Sequence, residues 1–134
     1  MNNIERRSFI RRAGSGLAAA ALGGSASRKT GAAERISIGI IGCKRGRVLA
    51  EEFKALGVRI TYVCDPDEAR RDALKERVGA DKAVADLRQI LDDPTVDAVA
   101  IATPDHWHAP AAILACEAGK HVYVEKPCSH NIRE

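Results

Sequence analysis

Beyond residue 35, short apolar runs alternate with segments in which apolar residues recur at helical spacing. The runs are rich in β-branched residues and show no regular polar positions, as expected of strands that are buried on both faces. Strands of this kind alternating with helices predict an α/β fold with a doubly wound parallel sheet covered by helices on both faces. The predicted strands are 36–41, 58–64, 82–84, 96–102 and 121–124, and the predicted helices are 48–56, 67–78, 86–91 and 110–118.

The same pattern predicts which helical side chains face the sheet. They recur three or four residues apart, so each set forms a stripe along one side of its helix. In the first helix these residues are Leu49, Phe53 and Leu56, and in the second they are Ala69, Ala73, Leu74 and Val78.

The first 33 residues differ in composition from the rest of the chain. They carry six basic residues against the single acid Glu5, followed by a mildly apolar run, 17–22, among glycines, serines and alanines. Arg6 and Arg7, with an aromatic and an aliphatic residue close behind, look like a twin-arginine export signal. A disordered basic tail is the alternative, and a membrane anchor is disfavoured because a span needs about 20 predominantly apolar residues. We therefore expect the twin-arginine export machinery to deliver the protein to the periplasm, with cleavage between residues 26 and 33.

The net charge of +3 depends on this segment. Without its six basic residues and one acid, 15 basic and 17 acidic residues remain, a net charge of about −2. The remainder has no basic stripe and few aromatic side chains, so the composition excludes a nucleic-acid-binding protein. A remainder of this length makes one small domain, which we expect to span residues 34–134.

The segment after the first predicted strand has the composition of a phosphate-binding turn. It reads Gly42-Cys43-Lys44-Arg45-Gly46 and precedes a helix, where a dinucleotide fold turns tightly and directs helix amides at a pyrophosphate. The G-x-G-x-x-G pattern is altered, because Lys44 and Arg47 stand where the later glycines belong. A loop one residue shorter fits better, and Lys44 or Arg45 would then pair with phosphate oxygens. An ordinary strand-to-helix turn is the alternative.

Asp65 follows the second predicted strand, 23 residues beyond Gly42. A carboxylate in this place can accept hydrogen bonds from an adenosine ribose, and it favours NAD over NADP by repelling a 2′-phosphate. Asp65 also fits a helix start, as the N-cap before Pro66, with Glu68 completing a pattern like a capping box. The two roles can coexist because a carboxylate has two oxygens.

Two further segments carry reactive side chains just past predicted strand ends, at the edge where open parallel sheets bind ligands. The first contains Asp105, His106, Trp107 and His108, and the second is Glu125-Lys126-Pro127. A lysine held extended by the following proline suits a functional role. The alternative for the first segment is a helix start with Asp105 as the cap and Trp107 packed inside. A metal site is disfavoured because the two histidines lack a third ligand.

The four cysteines, Cys43, Cys64, Cys116 and Cys128, do not fall in spaced pairs. They lie at predicted strand ends and on a predicted helix. We expect buried free thiols rather than a zinc site or a disulfide framework.

Four segments together resemble the amino-terminal domain of the Gfo/Idh/MocA family of glucose–fructose oxidoreductases and inositol dehydrogenases. They are 42–46, 64–67, 96–109 and 119–127. The specific elements are Thr-Pro-x-x-x-His, beginning at Thr103, and Glu-Lys-Pro, beginning at Glu125. The resemblance covers residues 35–134 and implies a Rossmann-type fold and an NAD(P)-dependent oxidoreductase that acts on a sugar or polyol.

The resemblance also implies a role for each matching residue. Residues Gly42, Cys43, Lys44, Arg45 and Gly46 would hold the pyrophosphate, and Asp65 would hold the adenosine ribose. Thr103, Pro104 and His108 would line the nicotinamide side, and Glu125 would bind the nicotinamide ribose. Lys126 would contact the cofactor and act as the catalytic residue, stabilising alkoxide character on the substrate as hydride leaves.

The family would continue beyond Glu134 into an α/β substrate-binding domain that supplies the usual histidine base. The 134 residues are therefore expected to hold half of an active site and to be inactive alone, and a longer form is expected to be a homo-oligomer. The expected cofactor is NAD rather than NADP. Two other functions stay open: a glycosidase that oxidises its sugar transiently with bound NAD, and a non-catalytic nucleotide-binding fragment.

Overall fold

Parallel strands form one sheet in the computed structural model, which describes residues 36–133. The described strands are β1 (Ser37–Ile41), β2 (Arg59–Cys64), β3 (Lys82–Val84), β4 (Ala98–Ile101) and β5 (His121–Val124). Their spatial order is β3-β2-β1-β4-β5, and every neighbouring pair is parallel. This order, in which the chain winds outward from β1 in both directions, confirms the predicted Rossmann-type doubly wound sheet. The predicted export signal, 1–33, lies outside the described residues.

Helices cover both faces of the sheet. They are α1 (Cys43–Ala55), α2 (Glu68–Val78), α3 (Arg88–Leu91) and α4 (His108–Glu117), and a 3₁₀ turn, Asp105–Trp107, precedes α4. Each predicted strand and helix is present, and only α1 begins more than two residues from its predicted start. Among the residues that the structure describes, no helix is long and apolar enough to cross a membrane.

Two apolar layers sandwich the sheet. The layer beneath α1 and α2 includes Ile40, Leu49, Val63 and Leu74, and the layer beneath α3 and α4 includes Ile90, Val99 and Ile101. Every residue of β1 is buried. Burial on both faces explains why β1, β2 and β4 lack alternating polar positions, whereas the edge strand β5 alternates exposed and half-buried residues. Each fully buried Ile or Leu contributes about 1.5 to 3 kcal/mol.

The predicted inward stripes are confirmed only in part. Leu49, Leu74 and Val78 are buried and Phe53 is half-buried, whereas Leu56, Ala69 and Ala73 are exposed. Leu56 is 78% exposed because α1 ends at Ala55 and Leu56 is its C-cap residue. Ala73 lines a cleft between α1 and α2, since α2 contacts the sheet through a narrower stripe than its periodicity predicts.

The largest difference from prediction is the start of α1. Residues 43–46 form the first turn of this helix rather than a glycine-rich loop, and the Gly46 N–H donates to the Gly42 carbonyl at 3.0 Å. Gly42 alone makes the turn, with φ 92° and ψ 96°. Gly46 serves close packing of helix on sheet, because a Cβ there would lie 2.8 Å from Ile40 Cγ2. The prediction of a loop over 42–46 is therefore wrong, since Gly42 is the single residue between β1 and α1.

Candidate functional site

The carboxyl ends of β1 and β4 form the crevice into which the predicted site residues converge. These strands are neighbours, yet the chain leaves them toward opposite faces, which is where open α/β sheets bind ligands. Gly42 follows β1 and contacts the turn after β4. A Cβ on Gly42 would lie 2.5 Å from the Ala102 carbonyl oxygen and 2.8 Å from the Thr103 nitrogen.

The N-terminus of α1 presents positive charge at this crevice. Its first turn contains no acidic residue, and of its amides the Cys43 N–H is already taken by the Asp65 carboxylate, which follows β2. Lys44 and Arg45 are exposed in that turn and form no ion pair with another described residue. The remaining amides of the first turn, the helix dipole and the two cations together favour an anionic group.

Asp65 connects the end of β2 to the start of α1. It is 6% exposed, and its Oδ2 accepts a hydrogen bond from the Cys43 N–H at 2.9 Å, while Oδ1 accepts one from the Asp67 N–H at 2.9 Å. The N-cap of α2 is Asp67, whose side chain accepts from the Arg70 N–H. The predicted N-cap role of Asp65 is wrong, because the local turn over 65–67 shifts the helix start by two residues.

The ribose role of Asp65 stays a prediction. A carboxylate has about four lone-pair sites, so each oxygen keeps one after accepting a backbone amide. A ribose hydroxyl would therefore share an oxygen with the Cys43 or Asp67 amide.

The His108 side chain links the segment after β4 to the segment after β5 through contacts with backbone carbonyls. Its ring is 1% exposed, with Nδ1 2.6 Å from the Pro127 carbonyl oxygen and Nε2 2.9 Å from the Thr103 carbonyl oxygen. A neutral imidazole donates from one nitrogen only, so the tautomer decides which of the two carbonyls accepts its hydrogen bond. His108 thus lies behind the crevice and fixes the residue next to Lys126.

Thr103 supplies a polar atom that no other residue in the described part of the chain uses. Its Oγ1 is buried, and it has no hydrogen-bond partner among the described residues. Buried hydroxyls are nearly always hydrogen-bonded, so an unpaired one beside Gly42 points to a ligand. Together with the cationic start of α1, this hydroxyl fits the polar oxygens of a dinucleotide.

Glu125 and Lys126 extend from the end of β5 along the same edge. The Glu125 N–H donates to the Ile101 carbonyl at 2.9 Å, which continues the ladder between β4 and β5. Lys126 is exposed, precedes a cis peptide bond to Pro127, and forms no ion pair with any described residue. Its ammonium group is therefore available to a ligand.

The alternative predicted for the segment after β4, a helix start with Asp105 as the cap and Trp107 packed inside, is wrong. Trp107 is 46% exposed rather than packed, and Asp105 begins a 3₁₀ turn in which no side chain caps the helix. The turn closes through a hydrogen bond from the Trp107 N–H to the Pro104 carbonyl at 2.9 Å. Pro104 and His106 are exposed at the crevice edge.

The four free cysteines divide into two buried and two exposed residues. The prediction of buried thiols is correct for Cys43 and Cys64 and wrong for Cys116, on the outer side of α4, and Cys128, beyond β5. The pKa of the Cys43 thiol and that of the Cys64 thiol are raised to about 12, mainly by burial and to a smaller extent by the negative charge of Asp65.

These pKa values predict a loss of stability at alkaline pH. The unfolded thiols ionise near their ordinary pKa of 9.0, whereas the folded thiols stay protonated to about 12, so stability falls as the pH rises between these values. The loss is about 1.4 kcal/mol per pH unit for each thiol. Urea unfolding at pH 8.5 and about pH 10.5 measures it. A Cys43→Ala, Cys64→Ala double variant should lose less stability over this range, and an equal loss would contradict the assignment.

Comparisons with known proteins agree with this geometry. The family described as "Oxidoreductase family, NAD-binding Rossmann fold", Gfo/Idh/MocA, matches residues 36–134. Myo-inositol 2-dehydrogenase from Thermotoga maritima is 37% identical over 99 residues, covering 72% of this chain and 30% of that protein. The solved scyllo-inositol dehydrogenase from Lactobacillus casei, with bound NAD(H) and scyllo-inositol, is 28% identical with a TM-score of 0.69, covering 74% of this chain and 30% of that one.

A relative with a hydrolase name aligns with the whole chain. Alpha-N-acetylgalactosaminidase from Shewanella oneidensis is 32% identical over 164 aligned positions, covering 100% of this chain and 36% of that protein. The chain thus spans about a third of the length of the curated relatives it matches. Fold, sheet-edge residues and sequence similarity agree: the chain belongs to the Gfo/Idh/MocA oxidoreductase family and carries its NAD-binding Rossmann domain.

Proposed function

We propose that this domain binds a nicotinamide dinucleotide for hydride transfer from a hydroxyl-bearing carbon of a sugar or polyol, within an exported oxidoreductase. The observation that carries the proposal is the unpaired Thr103 hydroxyl, which lies at the same sheet edge as the cationic start of α1. The names of the inositol dehydrogenase relatives support a polyol substrate. A bound dinucleotide would supply the hydride acceptor.

Different residues of the domain would bind the cofactor and stabilise the transition state. Lys44 and Arg45, with the amides of α1, would neutralise the phosphates, and Glu125 would accept hydrogen bonds from ribose hydroxyls. Lys126 would place its ammonium beside the substrate oxygen, whose negative charge grows as hydride leaves the adjacent carbon. His108 would keep Pro127 in place and so hold Lys126 relative to Thr103. A base in the substrate-binding portion of a longer protein would take the hydroxyl proton.

A glycosidase that uses the same domain is the second candidate. The Shewanella oneidensis relative supports it, because the alignment with that protein covers the whole chain. Such an enzyme returns the hydride to the sugar and accumulates no reduced cofactor, whereas a dehydrogenase does. Absorbance of NADH during turnover of a protein that carries this domain therefore separates the two functions.

Binding of NAD to the 134-residue chain, measured by calorimetry, tests the proposed function. A Thr103→Val variant removes the hydroxyl and keeps the shape. Because that hydroxyl has no partner among residues 36–133, the variant should keep or gain stability, while its affinity for NAD should fall about fivefold to tenfold with one lost hydrogen bond. Unchanged NAD affinity in this variant would remove Thr103 from the site, and no NAD binding by the parent chain would refute the function.

Export by the twin-arginine route is part of the proposal and rests on Arg6 and Arg7 before a weakly apolar run. We expect residues 1–40, fused to a folded reporter, to carry it to the periplasm of a bacterium with an intact twin-arginine pathway. Replacing both arginines with lysine should abolish export. A reporter still exported after that replacement would mean that another signal is read.

A further inference from the structure

Trp107 is an exposed aromatic side chain at the edge where the sheet binds ligands. It lies in the 3₁₀ turn that follows β4, and 46% of its surface is exposed. Among the large apolar side chains exposed in residues 36–133, Tyr123 is the other aromatic one, and it lies within β5 rather than past the end of a strand. Trp107 therefore gives the crevice a flat apolar surface beside its charged and polar groups.

The backbone on both sides of Trp107 is held in place. The Trp107 N–H donates to the Pro104 carbonyl at 2.9 Å, and the next residue, His108, is 1% exposed and begins α4. The indole thus stands on a fixed turn and has few side-chain torsions of its own. A ligand that packs against such a side chain restricts little conformational freedom, so the contact costs little entropy.

The buried His108 ring connects Trp107 to Lys126. Its Nδ1 lies 2.6 Å from the Pro127 carbonyl oxygen. Trp107 precedes His108 in the chain, and Lys126 precedes Pro127. The indole and the ammonium are therefore each one residue away from the same contact, and both side chains are exposed. One small ligand at this edge can touch both of them.

An aromatic face beside an ammonium suits a ring that bears hydroxyls. Where the hydroxyls of a sugar or polyol ring are equatorial, they lie at its rim, and each face of the ring presents C–H groups with a small positive charge. The negative π-face of an indole attracts these C–H groups, and the contact removes apolar surface from water. An open-chain polyol has no rigid face of this kind, and binding restricts more of its rotatable bonds.

We propose that Trp107 is a stacking platform for the ring of a cyclic sugar or polyol and thereby selects cyclic over open-chain substrates. One C–H face of the ring would pack on the indole, with a hydroxyl directed at Lys126. The inference rests on the proposed function, because it assigns part of the substrate contact to the cofactor-binding domain. It applies to the dehydrogenase and to the glycosidase alike, since both act on a hydroxyl-bearing ring.

Tryptophan fluorescence tests the platform directly, because Trp107 is the one tryptophan among the 134 residues. The chain is saturated with oxidised NAD and titrated with scyllo-inositol, a ring whose hydroxyls are all equatorial. We expect a saturable shift of the emission to shorter wavelength, because the ring displaces water from the indole. Sorbitol, an open-chain polyol with as many hydroxyls, is the matched ligand control and should give no saturable shift.

Variants of Trp107 separate stacking from a general effect on the fold. Trp107→Ala should weaken scyllo-inositol binding about tenfold, and Trp107→Phe, which keeps an aromatic face, should stay within about threefold of the parent. Calorimetry measures these affinities, and both variants should bind NAD as the parent does. Tyr123→Ala is the matched control, because Tyr123 is 47% exposed but lies within β5. It should bind both ligands as the parent does.

The outcomes distinguish failure of the platform from failure of the proposed function. No emission shift with scyllo-inositol, or equal scyllo-inositol affinity in Trp107→Ala and the parent, overturns the platform while NAD binding upholds the function. Equal responses to scyllo-inositol and sorbitol overturn the selection of rings. An emission shift that NAD alone produces and scyllo-inositol leaves unchanged assigns Trp107 to the cofactor instead. A chain that binds scyllo-inositol through Trp107 but binds no NAD retains the platform and loses the function.

Discussion

Gly42→Ala is expected to lower the free energy of unfolding by about 3 kcal/mol or more, from backbone strain and overpacking together. The backbone at Gly42 has φ 92°, which a residue with a Cβ rarely adopts. The added Cβ would also lie 2.5 Å from the Ala102 carbonyl oxygen, and neither backbone can move without separating β1 from β4. Urea unfolding of parent and variant measures the loss.

Gly57→Ala is the control that separates the cost of backbone strain from the cost of the steric contact made by the added Cβ. Gly57 has φ 80°, and a Cβ there would meet nothing within 4 Å. Only the conformational cost remains, about 1 kcal/mol. If Gly42→Ala cost no more than Gly57→Ala, the close approach of the β1 and β4 turns would not constrain the crevice.

Lys126→Met is expected to lower kcat about 10²-fold to 10³-fold in an oxidoreductase that carries this domain, as loss of one preorganised electrostatic donor typically does. The ammonium matters most when the substrate oxygen becomes negative, so the affinity for the dinucleotide should change far less than kcat. Steady-state kinetics at saturating dinucleotide, together with calorimetry on the domain, separate the two effects. A loss of cofactor affinity as large as the loss in kcat would make Lys126 a binding residue.

Lys120→Met is the matched control for Lys126→Met. The Lys120 ammonium donates to the Asp93 carbonyl at 2.7 Å and to the Val96 carbonyl at 3.0 Å, away from the crevice. Its loss should lower stability, because two carbonyl acceptors lose their donor, and leave kcat unchanged. Equal losses of kcat in both variants would attribute the effect to removal of a lysine from this region rather than to catalysis.

The sequence alone determined the elements and the edge at which the site lies. Strands buried on both faces show continuous apolar runs, so their type and approximate bounds follow from local pattern, and alternation with helices implies a parallel sheet. Parallel strands end at one edge, so Thr103 and Lys126 could be assigned to the same crevice from the strand ends that precede them. The family motifs then indicated a dinucleotide as the ligand, in agreement with the matching family.

Only the tertiary structure decided which partners each side chain meets, because those contacts join residues far apart in the chain. The Asp65 side chain is buried because it accepts a hydrogen bond from the Cys43 amide across neighbouring strand ends. Helix α1 begins five residues earlier than predicted because Gly42 makes a tight turn in contact with Ala102. His108 is buried because two carbonyls, 5 and 19 residues away, converge on its ring. The cleft that Ala73 lines likewise exists only where α1 packs beside α2, since the periodicity within one helix does not show which residues of the next helix it will contact.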